Sequence, residues 1–209
     1  MPGCVHIVDD DLSFRTAMAR RLKHSGYDVV TYPSAQHFLV NMPNESVPSC
    51  IILDVRMPSV DGPALQKRLS ELGSTLPIIF LTGYIDIPAT VQAIKAGAYD
   101  FLTKPILPDK LIRAIETAVT HHRSLRDLKD KLNSVRASFG RLTPRERQVF
   151  ELVILGKKNK QIGAELGTTE RTIKAHRKKV MQKMQVRSFT ELVSLAERVG
   201  SASVTGQTG

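Results

Sequence analysis

Four short apolar runs in the first half of the 209-residue chain each stop at a polar residue of a different chemical type. Val5-His6-Ile7-Val8 leads into Asp9, Asp10 and Asp11, and Ile51-Ile52-Leu53 leads into Asp54. Pro77-Ile78-Ile79-Phe80-Leu81 leads into Thr82, and Tyr99-Asp100-Phe101-Leu102-Thr103 leads into Lys104-Pro105. Clustered carboxylates suit a hard divalent cation, which takes oxygen ligands. A hydroxyl and an ammonium suit a phosphoryl group, and one carboxylate remains as nucleophile. Phosphoryl transfer rests mainly on positioning and on offsetting charge. If the runs are parallel strands, all these groups meet in the crevice at the strands' carboxyl ends, where open α/β sheets bind ligands.

The intervening segments supply the helices such a sheet needs. Phe14, Met18 and Leu22 recur at helical spacing from Leu12 to Ser25, with Asp11 as candidate N-cap and Gly26 as terminator. Tyr27 to Tyr32 reads as a second strand. Ser34 caps a helix holding Phe38 and Leu39, and Pro63 opens one holding Leu65 and Leu69. Asp86 precedes a helix with Pro88, Val91 and Ile94 that ends at Gly97. Strands alternating with helices predict an α/β domain with a parallel sheet. A fifth helix opens near Pro108 and carries a long stripe: Leu111, Ile115, Ala118, His122, Leu125, Leu128, Leu132, Val135 and Phe139. This stripe either packs on its own domain as a helical linker or forms a short dimeric coiled coil.

Charge separates the two halves. Residues 1–123 hold 12 Lys/Arg and 12 Asp/Glu, whereas residues 124–209 hold 18 and 8 and so carry the whole net charge of +10. Ten bases and only two acids, Glu165 and Glu170, lie between Lys157 and Arg187. A single-signed excess of this kind, laid over a helix-turn-helix pattern, indicates a nucleic-acid surface. Thr143 as N-cap and Pro144 at the first helical position open this second half. Val149, Leu152, Val153, Ile162, Leu166, Ile173, Val180 and Met184 form the inner faces of three helices, with Gly167 at the turn. Arg171, Lys174, Ala175 and Lys178 then lie outward on the third helix. Lys174, Ala175 and Lys178 are the expected base readers, because lysine suits guanine O6/N7 and a small apolar side chain suits the thymine methyl. Lys160, Thr169, Arg177 and Lys179 are expected at phosphates.

Residues 4–122 resemble the receiver domain of two-component response regulators. The resemblance rests on Asp9-Asp10-Asp11, Asp54-Val55-Arg56-Met57-Pro58 with Gly62, Leu81-Thr82-Gly83 and Lys104-Pro105. Residues 142–199 resemble the LuxR/FixJ-type helix-turn-helix domain. The matching residues there are Leu142-Thr143-Pro144-Arg145-Glu146, Gly156, Asn159-Lys160-Gln161-Ile162, Thr172-Ile173-Lys174, His176 and Lys183-Met184. Together these identify the chain with the FixJ/NarL type of response regulator.

The resemblance implies a flavodoxin-like (βα)5 receiver domain over 1–122 with strand order 2-1-3-4-5 and a helical linker over 123–140. An all-α, four-helix helix-turn-helix domain over 141–199 and a disordered tail over 200–209 complete the expected fold. It implies Asp54 as phosphoacceptor, and Mg²⁺ on Asp10, Asp54 and the Arg56 carbonyl, with Asp9 acting through water. Thr82 and Lys104 would hold the phosphoryl group, with a cis Lys104-Pro105 bond. Phe101 would be the switch aromatic, whose rotation alters the surface between Ile87 and Ala114. Implied partners are a sensor histidine kinase, promoter DNA, RNA polymerase and, on activation, a second copy dimerising partly through the fourth helix, Phe189 to Val199. Tyr84-Ile85 replaces the His-Gly common in FixJ-type receivers, Ile106 replaces a common Phe, and Gly163 stands where the family usually has Ala.

Other classes fit less well. A phosphatase lacks a general acid beside the nucleophile and leaves the basic half idle. A silent receiver does not need the complete acidic site, and an RNA-binding antiterminator does not need a major-groove helix. Cys4 and Cys50 cannot make a disulfide framework; both read as core thiols whose sulfurs lie near each other if their strands are neighbours. His6, His121 and His122 suggest no metal site. No apolar stretch reaches the ~20 residues of a membrane span and no basic-then-apolar leader is visible, so a cytoplasmic protein with no membrane partner is expected.

Overall fold

The computed structural model describes residues 3–83, 94–188 and 190–195. Five strands, β1 (Cys4–Val8), β2 (Asp28–Tyr32), β3 (Ser49–Asp54), β4 (Ile78–Thr82) and β5 (Asp100–Thr103), form one parallel sheet in the order β2-β1-β3-β4-β5. Between them lie α1 (Leu12–His24), α2 (Ala35–Val40) and α3 (Gly62–Glu71). The helix expected from Asp86 through Val91 falls outside the described residues, as do Tyr84, Ile85 and Ile87. Among the described residues the sheet is followed by α4 (Pro108–Gly140), α5 (Pro144–Ile154), α6 (Asn159–Glu165) and α7 (Glu170–Met184), and then by a short helical stretch at 190–195.

The central strands are buried at every position rather than at alternate ones, because helices cover both faces of the sheet. The two-residue period still sorts their side chains. Val5, Ile7, Cys50, Ile52, Ile79 and Leu81 pack against α1 and the first turns of α4, while Val8, Ile51, Leu53, Ile78 and Phe80 pack against α2 and α3. The same register separates the two cysteines. Cys4 pairs with Ser49 and Val5 with Cys50, so the thiols occupy neighbouring strands but opposite faces, and both are free.

Side-chain caps begin the helices where the sequence predicts. Asp11 Oδ1 accepts from the amides of Ser13 and Phe14, and Ser34 Oγ accepts from His37. Thr143 and Glu146 form a reciprocal capping box at the start of α5.

The chain divides into two compact units, Met1–Asp127 and Leu128–Gly209, the division falling within α4. The apolar stripe of α4 is used differently along its length. Leu111, Ile115, Ala118 and His122 are buried in the first unit, and Val135 and Phe139 pack on the core of the second. Leu125 and Leu128 between them are exposed. No helix among the described residues is long and apolar enough to cross a membrane.

In the second unit Val149, Phe150, Val153, Ile162, Ile173, Val180 and Met184 make a small core, to which Leu192 of the helical stretch 190–195 contributes. The rest of the expected fourth helix (Phe189 and residues 196–199) and the tail 200–209 lie outside the described residues. Gly167 makes the α6–α7 turn at φ +63°. Gly163 explains its departure from alanine: a Cβ there would stand 2.8 Å from the Thr168 carbonyl oxygen. Gly163→Ala should therefore destabilise this unit. Alanine returns ~1 kcal/mol of helix propensity, but forcing the turn apart costs roughly 1–3 kcal/mol. A lower thermal midpoint for the second unit is the expected readout, and a raised one would show that the turn yields freely.

Glu146 is buried in that unit, and its Oε2 accepts from Lys183 Nζ at 2.6 Å and from the Thr143 amide at 2.8 Å. The hydrogen bond from Lys183, followed by that from Thr143, lowers its pKa from the ordinary 4.5 to about 2. A carboxyl depressed on folding stabilises the fold above its unfolded value and loses that contribution as pH falls through its folded value. The pair should thus hold the second unit fully above pH 4.5 and release it toward pH 2. Glu146→Gln should flatten helical melts of the intact chain across that window, and an unchanged acid profile would remove Glu146 from the role.

Candidate functional site

Register places the acids. Val8 of β1 pairs with Leu53 of β3, so Asp9 and Asp54 leave adjacent strands at the same level, and Asp54 pairs with Leu81 of β4, next to Thr82. Lys104 follows β5, its amide donating to the Thr82 carbonyl at 2.7 Å, and the Lys104-Pro105 bond is cis. The ammonium then bridges the two carboxylates. Lys104 Nζ lies 2.8 Å from Asp9 Oδ2 and 2.7 Å from Asp54 Oδ1. It also sits 4.0 Å from the centroid of the Phe14 ring, a cation–π contact.

The other oxygen of each carboxylate accepts a backbone amide. Asp54 Oδ2 accepts from the Arg56 amide at 2.9 Å, and Asp9 Oδ1 accepts from the Asp11 amide at 2.9 Å. Arg15 Nη1 donates to the Asp9 carbonyl at 2.6 Å and ties down the end of β1. Asp9, Asp54 and Thr82 are buried, whereas Asp10 is exposed. Burial raises the pKa of the Asp54 carboxyl despite the opposing hydrogen bond from Lys104. Burial works against the Lys104 charge as well, but the Asp54 and Asp9 carboxylates more than offset it and its pKa is raised.

This donor set fits Mg²⁺. Among the described residues no three Asp, Glu, His or Cys side chains come close enough to hold a metal unaided. Mg²⁺ does not require such a cage, because one or two carboxylates, waters and a phosphate oxygen suffice. Asp9 and Asp54 already converge on one cation, and together with the neighbouring Asp10 they leave two negative charges that Lys104 does not balance. Direct ligation by Asp10 would require its exposed carboxylate to turn inward.

Helix α3 begins tightly against this site. A Cβ on Gly62 would stand 2.6 Å from the Asp54 carbonyl oxygen and 2.8 Å from the Phe80 ring. Phe101, the expected switch aromatic, is half-buried with its ring 6.2 Å from that of Phe80. Phe14, Arg15 and the close approach at Gly62 were not assigned to the site from sequence. Only Gly62 left a signal, its fixed distance from Asp54 in the motif.

At the other end of the chain, Lys160, Arg171, Lys174, Ala175, Lys178 and Lys179 are all exposed. With Ile173, Val180 and Met184 buried, the four outward residues of α7 form one solvent-facing strip. Two of the expected phosphate contacts have structural work. Thr169 caps α7, its Oγ1 accepting from the Thr172 amide at 3.2 Å. Arg177 is half-buried, and its Nη1 donates to Asn159 Oδ1 at 2.8 Å, bracing α7 against the start of α6. His176 is partly buried, and its Nδ1 has no hydrogen-bond partner among the described residues.

A doubly covered parallel sheet with acids, threonine and lysine at its carboxyl edge, joined to a basic helix-turn-helix, defines a class. Residues 5–116 match the family "Response regulator receiver domain" and residues 140–196 match "Bacterial regulatory proteins, luxR family". The chain belongs to the response regulators with a LuxR-type DNA-binding domain. It is 41% identical to Nodulation protein W of Bradyrhizobium diazoefficiens, covering 98% of this chain and 90% of that one. It is 40% identical to Transcriptional regulatory protein FixJ of the same organism, covering 95% and 96%. Response regulator protein TmoT of Ectopseudomonas mendocina is 41% identical over 93% of this chain and 88% of its own. Among solved structures, response regulator StyR superposes with a TM-score of 0.86 at 40% identity, covering 93% of this chain and 98% of that one.

Proposed function

We propose that this response regulator is switched by an acyl phosphate on Asp54 and binds promoter DNA through α7. The observation that carries the reading is Lys104, whose ammonium lies within 2.8 Å of Asp9 and 2.7 Å of Asp54. In the reaction an Asp54 oxygen attacks the phosphorus of a phosphohistidine on a sensor kinase, the P–N bond breaks, and the imidazole leaves. Lys104 exchanges its bond to Asp54 for one to a phosphoryl oxygen, and Thr82 supplies a hydroxyl donor. Mg²⁺ held by Asp10, Asp54 and the Arg56 carbonyl, with Asp9 behind it, would offset charge on the phosphoryl oxygens. Hydrolysis at Asp54 resets the switch, and no other enzymatic activity is proposed.

Movement of Thr82 toward the phosphoryl group opens room for Phe101 to turn, and the altered surface supports dimerisation. Packed interiors make such rearrangements two-state. Two copies then occupy half-sites about one helical turn, ~10 bp, apart and engage RNA polymerase in the cytoplasm. On this reading the receiver is 1–122, the linker 123–140, the DNA-binding domain 141–199 and the tail 200–209. Gel shifts of the full chain on promoter duplexes, with and without acetyl phosphate and Mg²⁺, test it. Tighter binding only when both are present is expected, and binding indifferent to them would leave a constitutive DNA-binding protein.

A further inference from the structure

Glu170 is an acid on a helix whose other charges are positive. α7 carries Arg171, Lys174, Arg177, Lys178, Lys179 and Lys183 and no second Asp or Glu. The other acid of the basic segment, Glu165 on α6, pairs with Lys157. Glu170 occupies the first position of α7, and its Oε1 lies 3.2 Å from Lys174 Nζ one turn on, both side chains being exposed. An exposed pair of this kind adds little stability. A carboxylate among duplex phosphates is repelled, and the favourable helix-dipole contribution is small. The N-terminal residues of a recognition helix are, however, those that approach base edges.

We propose that Glu170 and Lys174 form a donor–acceptor dyad that reads a single G·C base pair. Lys174 Nζ donates to guanine O6, and Glu170 Oε1 accepts the outward N–H of cytosine N4. The proposal rests on α7 being the major-groove helix. The spacing is complementary, since O6 and N4 are hydrogen-bonded to each other at about 2.9 Å and the side-chain atoms stand 3.2 Å apart. Guanine O6 keeps one lone pair and cytosine N4 one proton for the protein, so the dyad docks edge to edge with its own ion pair intact.

The order of the groups sets the specificity. G·C presents acceptor then donor, whereas C·G and A·T present donor then acceptor. The inverted pairs set an amino group against the ammonium and a carbonyl against the carboxylate. T·A keeps the order but lacks the purine N7 beside Lys174, so it is rejected less strongly.

The test is selection from a randomised duplex pool by the full chain, followed by titrations of the selected duplex and its single-pair variants. Wild type should favour one G·C position over its C·G inversion by roughly tenfold or more, the usual cost of a mismatched pair. Glu170→Gln, whose amide donates as well as accepts, and Glu170→Ala should both reduce that preference to within about threefold while binding random duplex more tightly at low salt. Lys174→Ala should lose the same position. If both Glu170 variants keep the wild-type preference and bind all duplexes more tightly by one factor, Glu170 is only a charge and the dyad is wrong. If Lys178→Ala also leaves all duplex binding unchanged, the major-groove reading of α7 falls with it.

Discussion

Asp54→Asn eliminates phosphate incorporation from acetyl phosphate, a loss of more than about a hundredfold, because a neutral amide is no nucleophile toward phosphorus. The substitution preserves volume, so the site survives it. Asp54 is buried beside Asp9, and burial raises its pKa, which means that its charge is disfavoured in the folded state. Asparagine relieves that cost and also removes one of the two carboxylates on Lys104, and these effects oppose each other. A thermal midpoint within about 4 °C of wild type is expected, a shift of the size that ~1 kcal/mol produces. Loss of labelling with an intact melt assigns the nucleophile. Labelling that persists in the variant moves it to another residue.

Removing the charges of Lys174 and Lys178 together should weaken specific DNA binding by roughly a hundredfold or more, since each base contact is worth ~1–3 kcal/mol. Both residues are exposed on one strip of α7, whereas Arg177 and Thr169 are tied into the fold. The double variant should therefore lose affinity without losing stability. If the lysines read bases, selectivity collapses as the salt slope falls. Lys179→Ala should keep selectivity, weakening all duplexes equally and reducing the slope by about 1. Titrations at several salt concentrations separate the two. Equal losses for specific and random duplex in the Lys174/Lys178 variant would reassign these residues to phosphates.

The strand ends were legible because each buried run stops abruptly at a polar residue and the polar types differ. Helix starts were legible because Asp11, Ser34 and Thr143 are caps whose partners lie within three residues. Long-range pairing was not. Lys104 finds Asp54 and Asp9 across 50 and 95 residues, and the strand-end pattern brings these groups to one crevice without saying which of them touch. Lys183 finds Glu146 across 37 residues. The faces of the two cysteines were not legible, because neighbouring strands do not fix which face a residue takes; one step of register decides it. The stripe on α4 reads as continuous, yet each unit covers its own end and leaves Leu125 and Leu128 in solvent, a division that periodicity does not carry. Gly163 departs from the usual alanine, and the partner it makes room for, the Thr168 carbonyl, lies across the turn.

The most direct measurement is mass-spectrometric mapping of the phosphoryl group on the intact chain after acetyl phosphate treatment, with and without Mg²⁺. The expected result is one hydroxylamine-labile phosphoryl group on the peptide containing Asp54, formed only with the metal. A stable phosphoester, a label on any other residue, or labelling indifferent to Mg²⁺ would contradict the account.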